Sequence, residues 1–240
     1  MRRLFEKIML PRLTGVIEPL HKSQNGFRNR RGCLDAVASL NEDIVQNAKV
    51  SRKTHMIFLD IKAAYDSVDR STLYARLAVM GVAPNMIIML MRLFSENTSM
   101  VSVEGSTSKP ITLSHGLLQG SLLSPVLYSA FIDDAAYIVE ENYGRKAQPA
   151  RLLMYADDMV LYGTDPKIIQ EALNDLVQFA KDSRFQFNIK KCEVISDHKF
   201  FINGEELPAT ENFRYLGVMV KDTGVNWTLH FDNRRKEAWK

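Results

Sequence analysis

The run Leu152-Leu153-Met154-Tyr155-Ala156-Asp157-Asp158-Met159-Val160-Leu161-Tyr162 sets two adjacent carboxylates inside an almost wholly apolar stretch. Burying one ionised carboxylate without a partner is costly, and two neighbours also repel each other. Two explanations fit: a solvated hairpin tip, where aspartate is common, or an oxygen-ligand site for divalent magnesium, which cancels the repulsion. Asp60 shifts the balance, because it ends a second short apolar strand, Met56-Ile57-Phe58-Leu59. Ligands gather at such strand ends on α/β sheets. Brought beside the Asp157–Asp158 tip, Asp60 completes a three-carboxylate cluster. Such a set suits two ions roughly 3.5–4 Å apart, the arrangement for in-line phosphoryl transfer. Asp133-Asp134 serves as a control: it falls where helix is expected, successive helical side chains diverge, and the pair reads as surface.

The elements that must carry these residues follow from periodicity. Leu4, Ile8 and Leu13 make residues 3–21 an amphipathic helix, and a second runs from about Leu34 with Val37, Leu40 and Ile44 on one face. Helices are expected over 70–80, closed by Gly81, and over 85–95, opened near Pro84-Asn85. Val101 to Gly105 alternates like a strand, with Pro110 to Leu113 as its antiparallel partner. Ser124-Pro125 opens a helix with Leu127, Phe131 and Ala135 on one face. Asp165-Pro166 opens another, with Ile169, Leu173, Leu176 and Ala180 inward. Lys199 to Leu207 reads as a hairpin turning at Asn203-Gly204, and Phe213 to Val220 as one more strand. Short turns between neighbouring strands favour an α+β class, an antiparallel sheet packed on helices, over a doubly wound parallel sheet.

Composition agrees. The 240 residues are 46% hydrophobic and 25% charged, which suits a sizeable core and excludes disorder and collagen. A net charge of +3 leans towards anionic partners and decides nothing alone. The longest purely apolar stretch, Met86 to Met91, is too short to span a bilayer, so no membrane partner is expected. Cys33 and Cys192 are too few for a disulfide framework or a zinc cluster. An intracellular compartment fits, with cytoplasm and nucleus undistinguished. Without a secretory signal, Asn97-Thr98-Ser99 and Asn226-Trp227-Thr228 read as chance glycosylation patterns.

Further motifs flank the carboxylates in a fixed order. Phe58-Leu59-Asp60-Ile61-Lys62-Ala63-Ala64-Tyr65-Asp66 resembles the first catalytic motif of reverse transcriptases. Gly116-Leu117-Leu118-Gln119-Gly120-Ser121-Leu122-Leu123-Ser124-Pro125 is similar to their glycine-glutamine-glycine motif, and Tyr155-Ala156-Asp157-Asp158 to their aspartate-pair box. Asn188-Ile189-Lys190-Lys191 and Phe213-Arg214-Tyr215-Leu216-Gly217 match the two that follow. Gln24-Asn25-Gly26-Phe27-Arg28, with Arg31 and Cys33, resembles the non-LTR retrotransposon and group II intron branch; Trp227, His230 and Arg234 favour the non-LTR side.

The resemblance implies a reverse-transcriptase palm with partial fingers over 1–222 and the start of a truncated thumb or connection over 223–240. It implies RNA-directed DNA polymerase activity on an RNA template, a DNA primer and deoxynucleoside triphosphates. Asp60, Asp157 and, in a lesser role, Asp158 would hold two Mg2+ ions (Mn2+ the alternative), with the Ile61 backbone near the second. Tyr65 takes the steric-gate position that rejects a ribose 2′-hydroxyl; by itself it reads as a half-buried core aromatic. Gln119 and Gly120 would meet template or nucleotide; locally they read equally as a strand-to-helix turn. Lys191 would neutralise or protonate the departing pyrophosphate, against a solvated lysine on a loop. Phe213, Tyr215, Leu216 and Gly217 would grip the primer, and Arg28 and Arg31 contact phosphate. The family's fingers box is expected before Met1 and a full thumb beyond Lys240. The alternative is therefore a truncated, catalytically idle nucleic-acid-binding remnant; oligomeric state stays open.

Overall fold

The computed structural model describes residues 2–95 and 98–238. Met1, Asn97 of the first glycosylation pattern, and the last two residues of the 223–240 segment lie outside the described residues. In order the elements are α1 (Arg2–Ile17), α2 (Cys33–Lys49), β1 (His55–Leu59), α3 (Arg70–Val79), α4 (Pro84–Ser95), β2 (Thr98–Ser99), β3 (Ser102–Val103), β4 (Ser106–Thr107), β5 (Ile111–Thr112), α5 (Ser124–Ile132) and α6 (Asp134–Tyr143). There follow β6 (Arg151–Tyr155), β7 (Asp158–Gly163), α7 (Pro166–Asp182), β8 (Glu193–Ile195), β9 (Phe201–Ile202), β10 (Glu205–Glu206), β11 (Phe213–Tyr215), β12 (Val218–Lys221), β13 (Gly224–Val225) and α8 (Trp227–Ala238).

The chain folds as two compact units, one of Met1–Leu20, Ala63–Ile132 and Ser183–Phe185, the other of His21–Lys62, Asp133–Asp182 and Gln186–Lys240. The second is built on a four-stranded sheet in the order β6-β7-β1-β8, antiparallel throughout. Its strands are apolar runs because both faces are covered. Met56, Phe58, Leu153, Val160 and Tyr162 pack with Val37, Leu40 and Ile44 of α2 and with Tyr215 and Val220 of the β11–β12 hairpin. α6 and α7 lie against β6 and β7, burying Ile169, Leu173, Leu176 and Ala180 as their spacing requires. The Asn203-Gly204 turn forms as expected, with both residues at positive φ between β9 and β10. Phe213 to Val220, expected as one strand, is instead a hairpin: Leu216 and Gly217, at φ 47° and 84°, turn β11 back onto β12.

In the first unit, α1 buries Glu6, Met9, Leu13 and Ile17, leaving Leu4 and Ile8 63% and 50% exposed. The expected stripe shared only Leu13, because a carboxylate occupies a core position. Glu6 can do so because it accepts the Ser121 hydroxyl at 3.0 Å and the Leu122 amide at 2.9 Å. The expected pairing of 101–105 with 110–113 is also corrected. β3 turns back on β4 through Glu104-Gly105, while β5 pairs β2. The helix from Ser124 does not continue to Ala135: it ends at Ile132, and α6 begins at Asp134. Asp133, expected at the surface, is only 1% exposed. Its two carboxylate oxygens accept the His21 amide at 3.0 and 3.1 Å, which offsets the cost of its burial.

Candidate active site

Strand register decides where the carboxylates go. Leu59 of β1 pairs Met159 of β7, and Tyr155 pairs Asp158 across the two-residue turn Ala156-Asp157. Asp60 therefore leaves β1 at the sheet end from which the Asp157–Asp158 turn projects. The backbone after Asp60 is tied down at once. The Asn188 amide donates to the Asp60 carbonyl oxygen at 2.8 Å, Ile61 bridges Phe187, and the Lys62 amide donates to Gln186 at 2.9 Å. Beneath Asp60 lies the buried Cys192, whose thiol burial pushes up to about 11, keeping it neutral beside the carboxylates.

The charges act on one another. Asp158 keeps a solvent-exposed flank, yet its carboxyl is pushed above the ordinary range, first by partial desolvation and then by the charges of Asp157 and Asp60. The buried Tyr215 hydroxyl is pushed up by burial and by the Asp158 charge. Three acids facing one sheet end offer hard oxygen donors, which suit a divalent cation of the magnesium kind. Their ligand atoms are not drawn together within 4.8 Å. Among the described residues that spacing is reached by His55, Asp197 and His198, a group that includes His–Asp contacts of 3.4 and 3.0 Å and an Asp197–Lys53 ion pair.

The remaining candidates divide between the units. With the carboxylates are Lys191, exposed and three residues past the Asn188 tie, and the hairpin of Phe213, Tyr215, Leu216 and Gly217. Phe213 stacks on Phe58 at 4.0 Å, and the Tyr215 hydroxyl is buried without a hydrogen-bond partner. Arg28 donates to the His21 and Gln24 carbonyls at 2.9 and 3.0 Å; Arg31 donates to the Lys22 carbonyl and Asn25. Both arginines thus brace their own loop.

In the other unit, Tyr65, Gln119 and Gly120 line one cavity of about 410 Å³ with Ser121, Ser124 and Pro125. The Tyr65 ring stacks on Tyr128 at 5.1 Å, and its carbonyl accepts the Leu117 amide at 2.8 Å, which binds the two motifs into one structure. Gly116 and Gly120 both have positive φ. The close approach at Gly116 is internal: a Cβ would lie 2.9 Å from the Asp66 Cα, whereas at Gly120 it would meet open space.

Two structural features were not singled out by sequence reasoning. Arg70, 9% exposed, donates to four backbone carbonyls of the segments flanking this motif. Gln24 is fully buried against the Ala156 turn. The signal for Gln24 was present as Gln24-Asn25-Gly26, but nothing local linked it to a turn 132 positions away.

Residues 1–220 match the family model described as "Reverse transcriptase (RNA-dependent DNA polymerase)". The chain is 24% identical over 219 residues to the retrovirus-related Pol polyprotein from the type-2 retrotransposable element R2DM of Drosophila melanogaster, covering 84% of this chain and 21% of that protein. It is 26% identical over 256 residues to the RNA-directed DNA polymerase from the mobile element jockey of the same species, covering 96% and 27%. The chain thus spans between a fifth and a third of these relatives. Among solved structures, apo telomerase from Candida tropicalis truncated from its C-terminal domain matches with a TM-score of 0.66 at 15% identity, covering 90% of this chain and 44% of that one. The telomerase of the same organism in complex with a fragment of telomeric RNA also matches at 0.66, with 14% identity, covering 92% and 36%. These likenesses establish a palm-type α+β fold. Among the described residues, no helix is long and apolar enough to cross a membrane.

Proposed function

The chain belongs to the reverse transcriptase family, on its non-LTR retrotransposon side, and from that membership we propose that it is the polymerase part of a retroelement protein. It joins deoxynucleotides to a primer 3′-hydroxyl on an RNA template. The observation that supports this reading is the strand register, which brings Asp60, Asp157 and Asp158 to the same end of one sheet. Asp60, Asp157, Asp158 and the Ile61 backbone would hold two Mg2+ ions, with Mn2+ as substitute. Bound there, such ions would supply Lewis-acid chemistry, favouring ionisation of a primer hydroxyl and offsetting the negative charge of phosphoryl transfer.

The chain's own groups do the rest. The Asn188–Asp60 tie fixes the backbone from which the Asp60 carboxylate is presented. Lys191, exposed beyond it, neutralises or protonates the departing pyrophosphate. The Phe213–Gly217 hairpin, held by the Phe58 stack, positions the primer end. In the other unit the rigid Tyr65 ring narrows the cavity it shares with Gln119 and Gly120, so a 2′-hydroxyl is rejected by steric clash. Exposed basic side chains around the Arg28–Arg31 loop contact phosphate. Residues 1–222 supply palm and part of the fingers, and 223–240 begin the thumb or connection, supported by α8, whose Trp227 and Phe231 are 59% and 60% exposed.

Primer extension by the 240-residue chain on matched RNA and DNA templates, with and without Mg2+, tests the proposal. Mg2+-dependent incorporation on RNA supports it. Salt-sensitive RNA binding without incorporation would instead mark the chain as a catalytically idle binding remnant.

A further inference from the structure

Residues 23–25 run beside β6 at the edge of the four-stranded sheet. The Met154 amide donates to Ser23 at 2.9 Å and the Asn25 amide donates to Met154 at 2.8 Å, making a parallel bridge at Gln24. Within that edge the Gln24 side chain is 0% exposed. Its Oε1 accepts two backbone amides, Gly26 at 2.9 Å and Ala156 at 3.1 Å. Its Nε2 has no partner, so the side chain is retained there for its acceptor oxygen. The two donors also fix which end of the amide points inward.

Ala156 needs such support. It sits at φ 58°, a left-handed conformation that a residue with a Cβ adopts reluctantly, immediately before Asp157. Gly26 presses against the same turn: a Cβ there would fall 2.4 Å from the Ala156 nitrogen and 3.0 Å from the Tyr155 carbonyl carbon. Both atoms are backbone and cannot swing aside. The cradle is anchored in turn, by Arg28 on the His21 and Gln24 carbonyls and by the buried Asp133 carboxylate on the His21 amide.

We infer that Gln24 and Gly26 are positioning residues, which hold Ala156 in its left-handed turn and thereby set the aim of the Asp157 and Asp158 carboxylates. The inference rests on the reading of those carboxylates as a cation site. Gln24 touches no reacting atom; it acts through one backbone amide. Losing the acceptor frees the turn to relax towards ordinary φ, which rotates the next residue, Asp157.

The test is Mn2+ binding to the 240-residue chain followed by electron paramagnetic resonance, with thermal unfolding measured in parallel. The relevant sites are those that Asp157→Asn removes. Gln24→Met, of similar length without an acceptor, and Gly26→Ala should each weaken these sites about tenfold while still unfolding cooperatively above the assay temperature. Gln24→Glu keeps an acceptor oxygen and should stay within about threefold of wild type. Gly15→Ala, where a Cβ meets nothing within 4 Å, is the control and should change nothing. Wild-type affinity in folded Gln24→Met and Gly26→Ala overturns the inference. Should Asp157→Asn remove no Mn2+ site from the wild type, the cation-site reading itself fails, which is a separate outcome.

Discussion

Replacing Arg70 by methionine removes a guanidinium that donates to the carbonyls of Gly116 at 2.9 Å, Phe94 at 2.8 Å, Leu113 at 2.7 Å and His115 at 3.0 Å. One side chain thus closes the end of α4 and fixes the segment that leads to Gln119 and Gly120. Hydrogen bonds to a charged group contribute about 1.5–3 kcal/mol each, so the gross gain is about 6–12 kcal/mol. Against it stands the several kcal/mol lost in desolvating the guanidinium, which also lowers its own pKa. The net cost of Arg70→Met, with four carbonyls left without that donor, is therefore about 3–5 kcal/mol. Urea unfolding should show this as a lower midpoint at unchanged slope. Arg70→Lys keeps the charge but offers one point of donation instead of a planar fork, and should recover roughly half. A methionine variant within about 1 kcal/mol of wild type would refute this account of the segment.

Asp69 caps α3 and is held at about 2: burial alone would raise it, but hydrogen bonds from Ser71 and Thr72 and the charge of Arg184 outweigh that. A depressed carboxyl contributes stability above its unfolded pKa and loses it as pH falls through the folded value. Asp69→Asn should thus cost about 2 kcal/mol at pH 7, and the difference from wild type should vanish as pH approaches 2 in chemical denaturation. Gly116→Ala places a methyl against Asp66 at φ 80° and should cost about 2–4 kcal/mol by the same assay. Tyr65→Ala should raise ribonucleotide incorporation relative to deoxynucleotide by tenfold or more; unchanged discrimination in competition assays would remove Tyr65 from the gate.

Much of the fold around the carboxylates was legible because its signals are short-range. Apolar runs broken by aspartate, a Gly-bearing turn at Asn203-Gly204 and the stripes of α2 and α7 each lie within one window of sequence, and each appears as read. Where partners come from afar the reading fails. Glu6 enters the core of α1's face because Ser121 and Leu122 answer it, and Asp133 is buried because the His21 amide does. The pairings of β2 with β5 and β3 with β4 turn on two-residue ladders too short to leave a pattern. Gln24 stands inside a recognisable motif, but its acceptor role depends on a turn that only folding brings to it.

The most direct test of the central claim is calorimetric Mg2+ titration of the wild type, Asp60→Asn, Asp157→Asn and the double variant. If these carboxylates chelate the same cations, each single change abolishes the same heat of binding and the double adds no further loss. Full binding in either single variant, or losses that simply add, would show that the two aspartates serve separate ends and that the proposed site does not exist.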